Sequence, residues 1–382
     1  MNIKTKQEIY AYIDDFDVQK YAKSRNFVHG SVSMLSPYIT HGIVTVPELV
    51  SRIVSRTDIK SAEKFLMELV WKEFFIQVQK SYDNWFLTSA VREDKTGILK
   101  RSMLPASFLT ATTKTDWVNK IIEELNVTWW LHNHKRMRLA SRCCHRAKLD
   151  WKKCADRTYH HFIDGELASN HLSRQWVNST FANKPYFMNE DNLEKYWPWT
   201  SDADLRWNYD YVSTKIFDQT RVSIYHEEQD VYIWLQTPVD SMQPWRWGND
   251  VPDSIRILTP WRLDESLLAD DIYTIIILDN NFTKEYSWSS FRLAFVQQYA
   301  DLYEIPFVLW GYTDIIQSYI AAWSDVILDE RRDPVYRDAQ HIYRKHQQVQ
   351  ILPYDMIYSH TWDGPIMKFF KYRNKVKSII KK

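Results

Sequence analysis

The feature that most constrains this chain is a change of period along its length. Up to about residue 200, apolar side chains recur at three- and four-residue spacings, as Phe65, Leu66, Leu69 and Phe74 do in "SAEKFLMELVWKEFFIQVQKSY". Similar periods run through "TDWVNKIIEEL" and "WWLHNHKRMRLASRCCHRA", and all three read as amphipathic helices. From about residue 230 the pattern turns into short β-branched or aromatic runs: "VYIWLQ", "IRILT", "YTIIIL", "PFVLWG", "DVILD" and "QVQILP". Helical stretches, "WSSFRLAFVQQYADLY" and "VYRDAQHIYRKH", lie between the later ones. Strands that alternate with helices predict a mainly parallel sheet covered by helices. The expected fold class is therefore α plus α/β in two domains. An all-helical domain would span residues 1–200, a polar and weakly patterned linker 201–229, and a Rossmann-like α/β domain 230–382. A length of 382 residues suits two hydrophobic cores.

Composition narrows the function classes. A formal net charge of +1 lacks the basic excess of a protein that grips nucleic acid by charge alone, although a local basic face stays open. Aromatic residues make up 15% of the chain, which fits a densely packed core or a protein that holds a planar ligand. The three cysteines, Cys143, Cys144 and Cys154, cannot form a full set of pairs and point to a reducing compartment. They fall short of the four thiolates of an iron–sulfur cluster. A zinc site drawing on His132, His134, His160 or His161 stays open beside the simpler reading of structural thiols, and no metal is assigned. The N-terminal "MNIKTKQEIYAYIDD" lacks the apolar core of a signal peptide, and runs such as "TIIIL" are too short to cross a bilayer. A soluble, cytoplasmic protein without a membrane partner is expected.

Local chemistry marks several sites. In "YAKSRNFVHGSVSMLSPYITHG", Ser36 is read as a helix cap and Pro37 as the first-turn residue whose missing N–H costs nothing. Ser31, Ser33 and Ser36 place hydroxyls beside free N–H groups at that helix end, a combination suited to a phosphate or simply to capping. A second helix is expected to start at Thr45, with Glu48 completing a capping box. On "MELVWKEFF", Glu68, Trp71, Lys72 and Phe75 share a helix face, and on "WWLHNHKRMRLAS" so do Asn133, Arg136, Met137 and Ala140. Each face could line a pocket or be an ordinary boundary between core and surface.

The densest constellation is "DGELASN", which sets Asp164 and Glu166 astride Gly165 after a helix ending in "HHFI". Two carboxylates this close raise each other's pKa unless cations or donors compensate, so a partner such as Arg136 is expected. Asn170, four residues after Glu166, adds a donor and an acceptor for a heterocycle edge. A glycosidase pair does not fit, because this spacing makes a turn and not two facing walls.

In order along the chain, Tyr21 with Arg25 and Asn26, "SVSMLSPYITHG", "ELVWKEFF", "HNHKRM", "LDW" ending at Trp151, "DGELASN", "QWVNSTFANKPYF" and "NEDNLEKYW" resemble the flavin-binding half of the photolyase/cryptochrome family. The resemblance implies a helical domain that binds FAD. Tyr21, Ser33, Leu35 and Ser36 fall on positions that hold the phosphates and ribityl chain. Asn133, Arg136, Asp164, Glu166 and Asn170 fall on flavin-pocket positions, with Arg136 pairing with Asp164 and Asn170 near the ring. Lys72 replaces an arginine of the cofactor site. Glu68, Trp71, Met137 and Trp176 match positions that contact a flipped pyrimidine dimer in DNA-repairing members; an extruded base needs an aromatic platform and a carboxylate acceptor. Trp151 matches the middle of the electron relay.

The second half resembles the family's α/β domain in "DVILDERRDPVYRDAQHIYRKH", "QVQILP" and "GPIMKFFKYRNKV". That domain usually comes first, so the chain is similar to a circularly permuted member. No glycine-rich fingerprint marks a second, antenna chromophore there, and nothing in the sequence assigns an oligomeric state. The chain departs from the family at Arg174, where most members carry the tryptophan closest to the flavin, and at Lys72, Val32, Met34, His41 and His134. Lysine for arginine loses a forked, planar contact.

Three functions follow from the resemblance. The first is an FAD-dependent flavoprotein with light-driven electron transfer from reduced FAD to pyrimidine dimers in DNA. As an enzyme it would be a deoxyribodipyrimidine photolyase, with Asn170, Glu68 and Trp176 in the catalytic roles. The second is a cryptochrome-like blue-light photoreceptor without repair. The third is a degenerate relative that has lost FAD and serves as a structural or nucleic-acid-binding module.

Overall fold

The computed structural model describes residues 2–94, 100, 102–182, 184–197, 235–238, 251–357 and 369–380. The expected linker 201–229 and most of the candidate strand "VYIWLQ" lie outside the described residues. The chain divides into two compact units. The first joins Met1–Val18, Met34–Asn84 and Gln236–Lys382; the second joins Gln19–Ser33 and Trp85–Leu235.

In the first unit, five strands form one parallel sheet in the order β3-β2-β1-β4-β5: β1 (Ser254–Leu258), β2 (Tyr273–Asp279), β3 (Phe307–Trp310), β4 (Asp325–Asp329) and β5 (Val349–Leu352). All four pairings are parallel, with Ile257 of β1 opposite Ile275 of β2 on one side and Leu328 of β4 on the other. A parallel sheet needs helices on its faces, and those faces bury both sets of side chains. Accordingly every residue of β2 after Tyr273 is buried, which is why "TIIIL" reads as one apolar run. Helices Ser290–Leu302, Tyr312–Ala321 and Tyr336–Tyr343 make the crossovers. The α plus α/β class is the one the change of period predicts.

The same unit takes in helices from the start of the chain: α1 (Lys6–Asp15), α3 (Ser36–Thr40), α4 (Val46–Val54) and the 24-residue α5 (Ile59–Tyr82), while α2 (Val18–Ser24) begins at its edge. Thr45 and Glu48 form the expected capping box at α4, and Thr5 with Glu8 forms another at α1. The expected cap at Ser36 is corrected: α3 begins at Ser36 itself, Leu35 occupies the cap position, and no side chain caps the helix. Pro37 does sit in the first turn, where a missing N–H is harmless. The N-terminal segment is bound to the sheet's flank by polar contacts. Lys6 Nζ reaches Glu48 at 2.7 Å and Asp264 at 2.8 Å, His41 Nδ1 donates to the Pro260 carbonyl at 2.6 Å, and Leu263 N–H donates to the His41 carbonyl at 2.8 Å. Gly42 makes the approach feasible: its φ is +68°, and a Cβ there would stand 2.4 Å from the Trp261 carbonyl oxygen.

The second unit is helical, with α6 (Ser107–Thr110), α7 (Asp116–Thr128), α8 (Asn133–Ser141), α9 (Trp151–His161), α10 (Leu167–Asn178) and α11 (Glu190–Tyr196). Its core draws on Trp117, Ile121 and Leu125 of α7 with Leu139, Cys144, Leu149 and Phe162. The continuous helix expected through "WWLHNHKRMRLASRCCHRA" is interrupted. After Ser141 the chain widens into a π-helical turn, Arg142–Arg146, where Ala147 N–H bonds the Arg142 carbonyl at 2.9 Å. The four consecutive residues Arg142, Cys143, Cys144 and His145 are all buried, which a regular helix at 3.6 residues per turn does not achieve against a single neighbour.

Candidate functional site

The carboxylate turn is built by two helix ends. α9 stops at Phe162, whose N–H bonds the Thr158 carbonyl at 2.8 Å, and Gly165 N–H then bonds the Phe162 carbonyl at 2.9 Å. Glu166 occupies the cap position of α10, its carbonyl taking Asn170 N–H at 2.9 Å. Asp164, Glu166 and Asn170 are all buried.

Arg136 of α8 is held from three directions. Its Nε donates to the Leu131 carbonyl at 2.7 Å, its Nη2 donates to Asp164 Oδ2 at 2.7 Å, and its guanidinium lies 4.1 Å from the centre of the Phe162 ring. The pairing of Arg136 with Asp164 is thus present as expected. A charge-assisted bond of this kind, with the Asp164 side chain only 3% exposed, fixes both the carboxylate and the arginine's orientation. Asn170 is anchored on α9: Thr158 Oγ1 donates to its Oδ1 at 2.9 Å, and its Nδ2 donates to the Ala155 carbonyl at 2.8 Å. After these two bonds an amide retains one N–H and one lone pair. Thr158, Ala155 and Phe162 were not singled out from sequence. Thr158 and Ala155 lie 12 and 15 residues from Asn170, and only the packing of α9 against α10 makes them its anchors.

The other candidates of the second unit are placed less alike. Tyr21 is buried, Ser33 and Met137 are half-buried, and Asn133, the first residue of α8, is exposed. Trp151 is buried at the start of α9, where Asp150 caps Lys152 N–H. Trp176 is 38% exposed and lies 5.1 Å from the Tyr186 ring.

In the first unit, Leu35 is buried and Ser36 and Glu68 are half-buried. Lys72 Nζ donates to Thr40 Oγ1 at 3.0 Å. Trp71 lies in an aromatic cluster with Phe74 and Phe75, and one face of its indole is covered by Phe369, stacked at 3.5 Å and 5°. Phe369 opens the C-terminal helix Phe369–Ile380, which also bonds Glu73 of α5 through Tyr372 Oη at 3.1 Å. A separation of 298 residues leaves no local signal for that stack in the sequence.

The histidines considered for zinc do other work. His132 Nε2 donates to the Arg25 carbonyl at 2.9 Å while its Nδ1 accepts from His134 N–H at 3.2 Å, so the ring is neutral. Burial lowers His132 and His134 to about 4 each. His161 stacks on Trp129 at 5.2 Å and 3°. Among the described residues no group of three or more His, Cys, Asp or Glu side chains is arranged to hold a metal ion. Among them, too, no helix is long and apolar enough to cross a membrane.

Residues 65–225, which include α8 through α11 and this turn, match the family described as the FAD binding domain of DNA photolyase. The matched part of the chain is of the photolyase/cryptochrome family. Among curated photolyase/cryptochrome proteins, the deoxyribodipyrimidine photo-lyase of Vibrio cholerae is 28% identical over 195 residues, 47% of this chain and 41% of that one. The photo-lyase of Thermus thermophilus is 27% identical over 178 residues, 44% of this chain and 40% of that one. Cryptochrome DASH of Ostreococcus tauri is 27% identical over 157 residues, 39% and 29% of the two chains. The matched stretch thus spans less than half the length of each of these relatives. Among solved structures, a Synechocystis cryptochrome is similar over 51% of this chain and 43% of its own, with 20% identity and a TM-score of 0.46. An archaeal photolyase from Sulfolobus tokodaii, described with two FAD molecules, is similar over 60% and 53%, with 19% identity and a TM-score of 0.43.

Proposed function

We propose that this photolyase relative binds FAD and repairs pyrimidine dimers in DNA by light-driven electron transfer, with its α/β domain following the flavin domain in permuted order. The single observation that carries the reading is the match of residues 65–225 to the FAD-binding domain of DNA photolyase. The residues of the carboxylate turn suit such a cofactor. Arg136 is already oriented by Asp164 and Phe162, so its charge can face a polar ring without a cost of ordering. Asn170 keeps a donor and an acceptor beside it, and Glu166 adds a buried carboxylate. Reduced FAD, when bound, supplies the electron that light moves to the dimer. The chain's own part is to hold the ring edge through Arg136, Asp164, Glu166 and Asn170, to exclude water by their burial, and to receive the damaged base on Trp176. Arg174 carries no aromatic ring, so an electron route inward from Trp151 is interrupted, and reduction from solution is the expected way to load the cofactor.

A second reading, a cryptochrome-like photoreceptor without repair, is favoured by Phe369, which covers one face of Trp71. Two measurements separate the readings. Protein purified in the dark is denatured and its chromophore identified; stoichiometric FAD is expected, and none after incubation with added FAD overturns both readings. Pre-reduced protein is then illuminated with a dimer-containing oligonucleotide. Splitting supports repair, and bound FAD without splitting assigns the receptor role.

A further inference from the structure

Arg174 of α10 and Arg157 of α9 bring two guanidiniums into the apolar core of the second unit, at 2% and 6% exposure. Among the described residues no acceptor meets Arg174 Nε or Nη2, and both atoms are buried. Arg157 is bonded, but to neutral groups. Its Nη2 donates to Asn126 Oδ1 at 3.1 Å and to the Phe108 carbonyl at 3.4 Å, and its Nη1 donates to the His161 ring, which burial and the Arg157 charge hold neutral by lowering it to about 2. A guanidinium does not give up its proton in a protein, and a buried charge without a counter-charge is strongly unfavourable. Both arginines line one cavity of about 20 Å³. Phe108, Ile122, Leu139 and Cys143 form other parts of its wall, and among the described residues no carboxylate lines it. Asp164, the buried carboxylate of the turn before α10, is already spent on Arg136. Thr158 also lines the cavity, but its hydroxyl has acceptors in Asn170 Oδ1 and the Cys154 and Ala155 carbonyls, so the guanidiniums are the strong donors left.

We propose that this cavity binds a single monatomic anion, chloride or another halide, as the shared counter-charge of Arg174 and Arg157. Charge decides that the occupant is an anion. Two like charges on one enclosed wall repel strongly where the dielectric is low, and a negative ion in the space they share relieves both at once. A water molecule accepts hydrogen bonds from the same N–H groups but leaves both charges unbalanced. Volume decides the class of anion. One water needs roughly 10–15 Å³ of such space, so about 20 Å³ admits one particle of that order and has no room for the oxygens of phosphate or sulfate. The apolar wall offers no partners to a shell of water, so the ion is held bare by the two guanidiniums.

The test uses the whole protein. Urea unfolding is followed at constant ionic strength while sodium chloride replaces sodium gluconate, whose anion is too large for the cavity. The unfolding constant is expected to fall about tenfold for each tenfold rise in chloride above the dissociation constant. Arg174→Met is expected to lose that dependence. In crystals of the wild-type protein grown with bromide, an anomalous peak is expected in contact with both guanidiniums. The crystal needs no variant, so the proposal stays open to refutation if Arg174→Met does not unfold cooperatively. A wild-type unfolding constant that ignores chloride overturns the proposal and assigns the cavity to water. A bromide peak without that dependence is binding at crystal concentration only, and it also overturns the proposal. Chloride dependence with no peak in the cavity, or dependence that persists in Arg174→Met, puts the anion elsewhere and overturns it as well.

Discussion

Two sets of buried aspartates in this molecule are satisfied in opposite ways. At the C-terminal edge of the sheet, Asp279 ends β2 and accepts three backbone N–H groups: Asn281 at 2.7 Å, Phe282 at 2.8 Å and Tyr312 at 2.8 Å. Asp329, ending β4, takes the Thr259 N–H at 2.9 Å and its hydroxyl at 2.7 Å. In the carboxylate turn, Asp164 is instead held by the side chain of Arg136. Open parallel sheets take ligands outside the carboxyl ends of their strands, where the order reverses. Here the reversal lies at β1, and the chain beyond β1 fills that edge with its own side chains. Trp261 packs edge-on against Trp288, Phe282 and Tyr336, with the Arg331 guanidinium 4.6 Å from its ring centre. At the sheet edge the carboxylates are taken up by donors that hold the fold together, whereas Asp164 is held by a charged side chain that it orients in turn.

Breaking the sheet edge has the largest expected effect. Asp279→Ala leaves the two buried N–H groups of Phe282 and Tyr312 without an acceptor, and at about 1–3 kcal/mol for each the chain should lose at least about 2 kcal/mol in urea unfolding; a loss below about 1 kcal/mol refutes the structural role. Gly42→Ala is next. A left-handed φ and a Cβ against the Trp261 carbonyl should cost about 2 kcal/mol, read in the same unfolding curves. Asp164→Asn removes the charge from the pair with Arg136. It is expected to lose about 1–2 kcal/mol of stability yet at least tenfold in FAD affinity, and a large stability loss with unchanged affinity would reverse the contrast between the two regions.

Acid probes the second unit more gently. His132 and His134 titrate near 4 in the folded chain because of burial, below the ordinary value of about 6.5. Between those values the unfolded chain binds more protons, so their contribution is fully present above about pH 6.5 and is lost as pH falls toward 4. Urea midpoints measured from pH 7.5 to 4.5 should decline through that window, with a shallower decline in His132→Gln. The smallest stability change belongs to Trp176→Ala. With the ring 38% exposed, stability should change by less than about 1 kcal/mol, FAD should be retained, and affinity for a dimer-containing oligonucleotide should fall. Undiminished affinity removes Trp176 from the lesion contacts.

Much of this was legible without coordinates. Alternating apolar runs and helical stretches after residue 230 become β1 through β5 and their crossovers, because local spacing records which face each element buries. Thr45 with Glu48 could be read as a cap, since a capping box is completed within four residues. A cation could be expected beside Asp164 and Glu166 because two adjacent carboxylates call for one, and the family resemblance named Arg136 as the partner of Asp164.

Local spacing does not record which distant surface covers a face, and there the tertiary structure decided. It grouped residues 1–18 and 34–84 with the sheet, laid Phe369 on Trp71, and set Trp261 at the edge of β1. It also turned "SRCCHR" into a π-helical turn, so that a guanidinium and three thiols share one core. A thiol and an apolar side chain look alike in a hydrophobic pattern, and only three-dimensional packing shows that Arg174 is buried beside Cys143 and Cys154.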